Sequence, residues 1–506
     1  MSASVQSIME TNGHGIVIDV ECHTSNGLPN IVIVGFASKA IDEAKERVRS
    51  AFVSSKLDLP KKRITINLAP ADIPKDSSSF DVAIASAILL ESNQVRPELL
   101  KDSLVVGELG LDGKLRPVRG IIGKLLAGRE QNKKLFYIPA ANSEQALLVP
   151  GINIVPVPTL KDLYLHLSNT VSLPVMESGK GKLPTIADRK DETDFNDVVG
   201  QARAKRAMEI AAAGGHNIML SGPPGAGKSM LAKAMPSILP ELSREEILEI
   251  THLYSLASKQ YDQIITTRPF RAPHHSASHT AIVGGGQHPR PGEISLAHRG
   301  VLFFDEFPEF NRDTLEVLRQ PLEDRSISVS RARDSVTYPA DFILVATSNP
   351  CPCGFYGTTK PCTCLPHDIS RYQRKLSGPI IDRIDLYVDV EEVVHASLLD
   401  SNTRSESSNS IRKRVSAARN RQQERLAGQI KINAALSNRE IKKLVNLSPA
   451  AKQLLDQASE RLGISARSYM KTLKVAQTIA DLEESDVVDV QHISEALQYR
   501  KSTVSL

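Results

Sequence analysis

Apolar and polar positions change period several times along the chain, and each change marks an element. Up to residue 30 they alternate, as in Gly15-Ile-Val-Ile-Asp-Val-Glu-Cys22, the period of half-buried strands. Ile31-Val-Ile-Val-Gly35 is a continuous apolar run and predicts a buried strand, and Lys39 to Phe52 carries the apolar spacing and the charges of a surface helix. Lys61 to Leu68 predicts another strand, Phe80 to Leu90 a buried helix, and Leu104 to Arg116 a hairpin turning at Asp112-Gly113. This mixed α and β part ends near Ser168, because Ser172 to Lys190 is polar, marked by Gly and Pro and without period, as a linker is.

The sharpest pattern comes next. The short apolar run Ile218-Met-Leu-Ser221 leads straight into Gly222-Pro223-Pro224-Gly225-Ala226-Gly227-Lys228-Ser229 and then into a helical period. A buried strand delivers such a loop, its backbone N–H groups curl around phosphates, Lys228 reaches the β- and γ-phosphates of ATP, and the Ser229 hydroxyl can ligate Mg²⁺. The helix N-terminus beyond adds its positive dipole end. A second apolar strand, Gly300-Val-Leu-Phe-Phe, ends in Asp305 and Glu306. Asp305 at the strand end can hold the Mg²⁺ shell while Glu306 polarises the attacking water. A third, Phe342 to Ser348, ends in Asn349, suited to orient water beside the γ-phosphate; an ordinary Asn-Pro turn is the plain alternative.

Composition bounds the rest. A chain of 506 residues suggests about three domains at ~150 residues each. Hydrophobic residues at 41% and charged residues at 24% are ordinary for a globular protein, and a net charge of +4 confines any nucleic-acid surface to a local patch. The N-terminus lacks a basic stretch followed by an apolar one, and no apolar run approaches ~18 residues, so the expectation is a cytoplasmic protein with no membrane partner. Of five cysteines, Cys351, Cys353, Cys362 and Cys364 crowd into 351–364. In a reducing compartment that pattern favours a metal, and four thiolates suit structural tetrahedral Zn²⁺; four free or redox-active thiols are the alternative. The segment 266–299 is long and rich in His, Arg and Gly. Beyond Val390 a polar tract at 400–410 leads into helices from Ile411 to Gln498, among them the basic Arg412 to Arg421, which reads as a solvated face. Ser448 before Pro449 and Ser465 read as helix N-caps, the latter placing Arg467 in a first turn aimed back at the phosphates, as in a lid.

These motifs, with Arg268-Pro-Phe-Arg-Ala-Pro-His-His275, Gly284-Gly-Gly, Arg290-Pro-Gly-Glu-Ile-Ser-Leu-Ala-His298 and Asn349-Pro-Cys-Pro-Cys-Gly354, resemble the magnesium-chelatase-like AAA+ ATPases of the YifB/ComM family over nearly the whole chain. The resemblance implies an α/β multidomain fold. Residues 1–170 would be a Lon-protease-like α+β domain of ribosomal S5 domain 2-like fold, 171–190 a linker, 191–395 an AAA+ P-loop α/β core, and 396–506 a helical lid of chelatase C-terminal type. It implies a homohexameric ring and, for one branch, a DNA helicase driving branch migration on single-stranded or branched DNA in recombination or natural transformation. It also assigns Asn349 as sensor 1, Arg383 as arginine finger and Arg467 as sensor 2; for each Arg a surface ion pair is the plain alternative. In such rings an insert at 266–299 projects toward the pore, which makes Arg268, Arg271, His274, His275 and Arg290 candidates for phosphate contacts with DNA. Stitching the insert to its own core or to a neighbouring subunit is the competing reading.

The first domain adds one further possibility. Pro74-Lys-Asp-Ser-Ser-Ser-Phe80 falls where Lon-type proteases carry their serine, at Ser79, and Arg119-Gly-Ile-Ile-Gly-Lys124 where they carry their lysine, at Lys124. A desolvated lysine could take the hydroxyl proton. The sequence departs from that pattern, however: Ser77-Ser78 replaces Gly-Pro before the serine, Phe80-Asp81 follows it, and Arg119 stands for the first Gly of the lysine motif. Three function classes therefore compete: an ATP-driven DNA motor, an ATP-dependent Ser–Lys protease, and a chelatase-like protein-remodelling ATPase.

Overall fold

The structure is a computed structural model that describes residues 3–11, 14–35, 39–71, 73, 75, 78–179, 193–257, 263–286, 290–330, 335–376, 378–392, 406–428 and 431–500. The second half of the expected linker, the expected boundary at 395, most of the polar tract at 400–410, residues 287–289 of the insert, and Pro74, Asp76 and Ser77 of the serine segment lie outside those residues. The chain divides into two compact units. One comprises Met1–Thr185, Ser243–Thr266 and Ser330–Thr337, the other Ile186–Leu242, Thr267–Val329 and Tyr338–Leu506.

In the first unit the alternating segments pair into one sheet, in the order Ala3–Thr11, His14–Ser25, Arg63–Ala69, Asn30–Val34, antiparallel except for the last pair. Alternation has its usual cause here: Ile64, Ile66 and Leu68 point into the core while their neighbours do not. Helix Asp81–Glu91 is buried from Asp81 to Leu89, which is why it reads as apolar all round. A second sheet runs Met176–Glu177, Asn153–Val157, Leu135–Pro139, Ser103–Val105, parallel apart from the first pair.

The expected hairpin from Leu104 to Arg116 is only half present. Ser103–Val105 leaves to pair with Leu135–Pro139, and only Glu108–Leu109 and Leu115–Arg116 pair antiparallel around Asp112-Gly113. The chain is diverted between them because Gly107 bonds to another segment, donating to the Ser79 carbonyl at 2.9 Å and accepting from Val82 N–H at 3.2 Å. At the turn Gly113 takes φ 81, and the Asp112 side chain accepts from Lys114 N–H at 3.1 Å. Helix Arg244–Ala257 belongs to this unit although it follows the phosphate loop in sequence; it packs on helix Ile121–Glu130, and Arg244 donates to the Leu147 carbonyl at 2.8 Å.

The second unit is built on five parallel strands in the order Phe270–Arg271, Val301–Phe304, Ile343–Ser348, Ile218–Ser221, Leu386–Asp389. Parallel strands are covered on both faces, so Ile218-Met-Leu, Val301-Leu-Phe-Phe and Ile343-Leu-Val-Ala are uniformly apolar. Helices Ala202–Gly214 and Lys228–Ile238 and the C-terminal helices Ser408–Arg425, Pro449–Leu462, Ala466–Leu482 and Val490–Gln498 share one hydrophobic cluster with that sheet. Ser448 and Ser465 cap their helices, accepting from Ala451 N–H at 3.2 Å and Ser468 N–H at 3.3 Å. The molecule is thus mixed α/β with a helical C-terminal region. Among the described residues no helix is long and apolar enough to cross a membrane.

Candidate functional site

Strands of a parallel sheet open their ligand crevice at their C-terminal ends. There Ile218–Ser221, Val301–Phe304 and Ile343–Ser348 deliver Gly222–Ser229, Asp305–Glu306 and Asn349 to the rim of one cleft of ≈ 380 Å³. Gly227 stands in the left-handed region at φ 86, the turn that lets helix Lys228–Ile238 start with its free N–H groups facing the cleft. Lys228 is 8% exposed, and its ammonium donates to the Gly222 carbonyl at 2.5 Å, the Pro223 carbonyl at 2.8 Å and Asn349 Oδ1 at 3.1 Å. Burial pulls its pKa down from the ordinary lysine value, while Asp305 and Glu306 oppose that pull. Ser229 Oγ lies 3.0 Å from Asp305 Oδ2, one hydroxyl and one carboxylate side by side, which is the oxygen-donor chemistry Mg²⁺ takes.

Thr347 was missed by the sequence reading. Buried at 1% exposure, its hydroxyl donates to Asp305 Oδ1 at 2.6 Å and accepts from Glu306 N–H at 3.0 Å. Glu306 needs such a hold, because its backbone is left-handed at φ 52, a conformation that costs a non-glycine residue about 1–3 kcal/mol. A Thr inside an otherwise apolar strand, two positions before Asn349, was the available signal.

Neither expected arginine lines this cleft. Arg467 is not aimed at the phosphate loop of its own chain: its Nη2 donates to Glu323 Oε1 at 2.9 Å. Arg383 pairs with the same carboxylate through Oε2 and donates from Nη1 to the Pro379 carbonyl at 2.6 Å. The physical reason lies in a buried polar cluster. Asn217, just ahead of the strand feeding the phosphate loop, donates to the Arg383 carbonyl at 3.1 Å and, from its N–H, to Asp385 at 3.0 Å. Lys471, one turn along from Arg467, pairs with Asp385 at 2.9 Å, and so the first turn of the lid helix is drawn to the Arg383 segment. Burial alone would raise the Asp385 pKa, but Lys471 and His216 outweigh it and hold the carboxyl well below the usual range.

The four cysteine ligand atoms lie within 4.8 Å of one another, with Sγ–Sγ separations of 3.4 Å for Cys351–Cys353, 3.8 Å for Cys351–Cys362 and 3.6 Å for Cys353–Cys362. Four sulfurs placed ~2.3 Å from one tetrahedral Zn²⁺ stand about 3.8 Å apart, so the set fits that ion. Backbone N–H groups of Phe355 and Thr363 draw the Cys353 thiol down to about 5; for Cys364 the Cys353 amide works in the same direction, but desolvation and then the neighbouring thiols push it up to about 12. A shared cation would remove that conflict between like charges. Gly354, at φ 85, brings this turn against the phosphate loop: a Cβ there would meet Pro224 Cδ at 2.6 Å.

The insert 266–299 is more ordered than its composition suggests. Phe270–Arg271 joins the main sheet, and short helices His279–Val283 and Glu293–Leu296 flank the paired strands Gly284–Gly285 and Arg290–Pro291. Arg268 is 8% exposed and donates to the carbonyls of Pro240, Arg299 and Glu241, and Arg271 pairs with both oxygens of Glu293 at 2.5 and 2.6 Å. These two stitch the insert to its own core, a correction to their expected role as DNA contacts. His274 and His275 are exposed with ring centroids 4.1 Å apart, and Arg290 is exposed. In the other unit Ser79 and Lys124 are both buried, at 1% and 7% exposure, and Phe80 beside the serine is part of the core.

Comparison with known proteins agrees with the geometry. Family models described as magnesium chelatase subunit ChlI match residues 194–398, subunit ChlI of Mg-chelatase residues 20–142, and the ChlI C-terminal region residues 405–500. The chain is 43% identical over 485 residues to competence protein ComM of Haemophilus influenzae, covering 96% of this chain and 94% of that one. It is 43% identical over 489 residues, with the same coverage, to uncharacterized protein YifB of Escherichia coli. The N-terminal region is 30% identical over 148 residues to the Lon protease of Dictyoglomus thermophilum, covering 28% of this chain and 18% of that protein.

If Thr347 sets the two acids, Thr347→Val, of nearly the same shape, keeps nucleotide affinity but lowers ATP turnover, by up to ~10²-fold for a misplaced catalytic group. Fluorescent-nucleotide binding and steady-state hydrolysis check the two halves; wild-type turnover would show that the hydroxyl positions nothing.

Proposed function

Because the chain belongs to the YifB/ComM family of magnesium-chelatase-like AAA+ ATPases, we propose that it is an ATP-driven motor that closes into a homohexameric ring and moves single-stranded or branched DNA in recombination or natural transformation, in the cytoplasm. One observation carries the ring: the cleft holding Lys228, Ser229, Asp305 and Glu306 is lined by no arginine of its own chain among the described residues, while Arg383 and Arg467 stand together on Glu323. Phosphoryl transfer needs cations around the equatorial oxygens, and in a ring the adjoining subunit supplies them. In this reading Ser229 and Asp305 would hold Mg²⁺, which would supply charge neutralisation to the phosphates. Lys228 binds phosphate, Glu306 orients and deprotonates the attacking water, Asn349 holds that water in line, and Arg383 and Arg467 act on the neighbour's nucleotide.

The DNA reading is supported by the exposed His274, His275 and Arg290 on the insert between the two nucleotide motifs and by the likeness to a competence protein. The Ser–Lys protease reading, which requires a peptide carbonyl at Ser79 Oγ, has less support, since Ser79 is 1% exposed. The chelatase-like alternative differs in what stimulates the ATPase.

The deciding experiment is the ATPase rate with and without branched DNA across a salt series. The expected result is stimulation that fades with salt as DNA affinity falls, each phosphate contact adding about −0.7 to −0.9 to the log–log slope of the binding constant, and loss of part of that stimulation in Arg290→Ala with basal turnover intact. A rate indifferent to DNA but raised by a partner protein would favour the remodelling reading instead. We further assign Cys351, Cys353, Cys362 and Cys364 to a structural Zn²⁺ that braces the turn beyond Asn349. Elemental analysis of protein prepared without chelator should find about one zinc per chain, lost in Cys353→Ser or Cys362→Ser. Zinc-free wild-type protein would refute the assignment.

A further inference from the structure

Glu323 lies on Arg319–Asp324, a short helix that none of the nucleotide motifs includes. Its two oxygens serve different partners: Oε2 pairs with Arg383, and Oε1 accepts from Arg467 at 2.9 Å. The partners are 60 and 144 residues away in sequence, so their meeting is a property of the fold. The Arg383 guanidinium, then that of Arg467, holds the Glu323 carboxyl below the ordinary glutamate range although half of the side chain is in solvent.

Two guanidiniums on one carboxylate are like charges kept close together, and they repel. Without the anion, Arg467, 43% exposed, regains the rotamer freedom of a long solvent-facing side chain. Arg383 is more confined, at 11% exposure, but among the described residues its guanidinium makes one other hydrogen bond, to the Pro379 carbonyl, and its buried Nε makes none. The carboxylate thus has an effect that neither arginine achieves for the other: it makes a pair of cations stable at one place.

We propose that Glu323 is a positioning residue of the composite ATP site, an anion that holds Arg383 and Arg467 side by side until the terminal phosphate of a neighbour's nucleotide takes over their hydrogen bonds. This rests on the reading that both arginines serve the adjoining subunit. The exchange is one of like for like: guanidinium groups match carboxylate and phosphate oxygens with the same fork geometry, and the phosphate carries the greater charge. When phosphate departs after hydrolysis the arginines return to Glu323. The cations then meet the next nucleotide already gathered, so their ordering is not repeated in each turnover.

Steady-state ATPase of the full-length assembly tests this in Glu323→Gln, Arg383→Ala and the double variant Glu323→Gln/Arg383→Ala, with thermal melting of each. Gln keeps the shape and removes the charge. The expected result for Glu323→Gln is a kcat lower by about tenfold, the ratio that ~1.4 kcal/mol of lost pre-organisation gives, with KM for ATP and melting temperature unchanged. The double variant should be slower than Arg383→Ala alone by less than the factor Glu323→Gln costs the wild type, because only the share of Glu323's effect that runs through Arg467 remains. A Glu323→Gln enzyme as fast as wild type or faster, or a double variant showing the product of the two losses, overturns the proposal while leaving the composite site standing. Wild-type turnover by Arg383→Ala removes the composite site, and this role for Glu323 with it.

Discussion

The Lys228 ammonium is the charge around which the second unit is arranged. It is nearly buried, and three acceptors from two segments hold it: the carbonyls of Gly222 and Pro223 and the side chain of Asn349. A buried cation is tolerable only when so satisfied, and this requirement fixes how closely the ends of neighbouring strands approach. Strand pairing between Ile218–Ser221 and Ile343–Ser348 brings Asn349 to the loop, and pairing of the latter with Val301–Phe304 brings the two acids. Thr347 then ties acid to strand, one hydroxyl serving Asp305 and the backbone of Glu306 together.

The opposite end of strand Ile218–Ser221, away from the phosphate loop, reaches the C-terminal helices. Asn217 accepts from Leu344 N–H at 3.0 Å within the sheet while it donates to the Arg383 carbonyl, and Asp385 next to it carries Lys471 of the lid helix. His216 extends the cluster to Thr478 at 2.8 Å, and Asn433 joins Thr478 to Asp481 at 3.0 and 2.8 Å. Buried networks of this kind have few alternative arrangements in which every donor is satisfied, so movement at one end is passed on as a change of register, not absorbed. The arginine cluster on Glu323 is anchored at both ends of this network, through the backbone beyond Arg383 and through the helix that carries Arg467. The cysteine turn approaches the phosphate loop from another side, where Gly354 meets Pro224. Cleft, lid and cysteine turn are therefore joined by contacts at named residues.

What could be read from the sequence was what chemistry repeats at fixed spacing. The glycines, Lys228 and Ser229, the strand ending in Asp305 and Glu306, and the paired cysteines are local patterns, each carrying its own physical reason. The helices were legible for the same cause, apolar period and capping Ser residues at 448 and 465. Pairings over long range were not. Glu323 sits in Arg-Gln-Pro-Leu-Glu-Asp with no periodic or motif signal, and nothing local points to Arg467. Arg467 was expected at its own chain's phosphates because a first-turn position alone does not say which way a helix lies. The segment 266–299 shows no period because its strands are only two residues long. Arg268 and Arg271 looked available because the carbonyls and the carboxylate that occupy them are brought in by folding.

The account stands on a division of labour in one cleft, with Lys228 holding nucleotide and Glu306 acting only on the attacking water. The direct measurement is nucleotide affinity and single-turnover hydrolysis for Lys228→Ala and Glu306→Gln side by side. The account predicts that Lys228→Ala loses ATP affinity, whereas Glu306→Gln binds ATP as the wild type does and hydrolyses it about 10²–10³-fold more slowly. A Glu306→Gln protein that turns over ATP at a near-normal rate would contradict it.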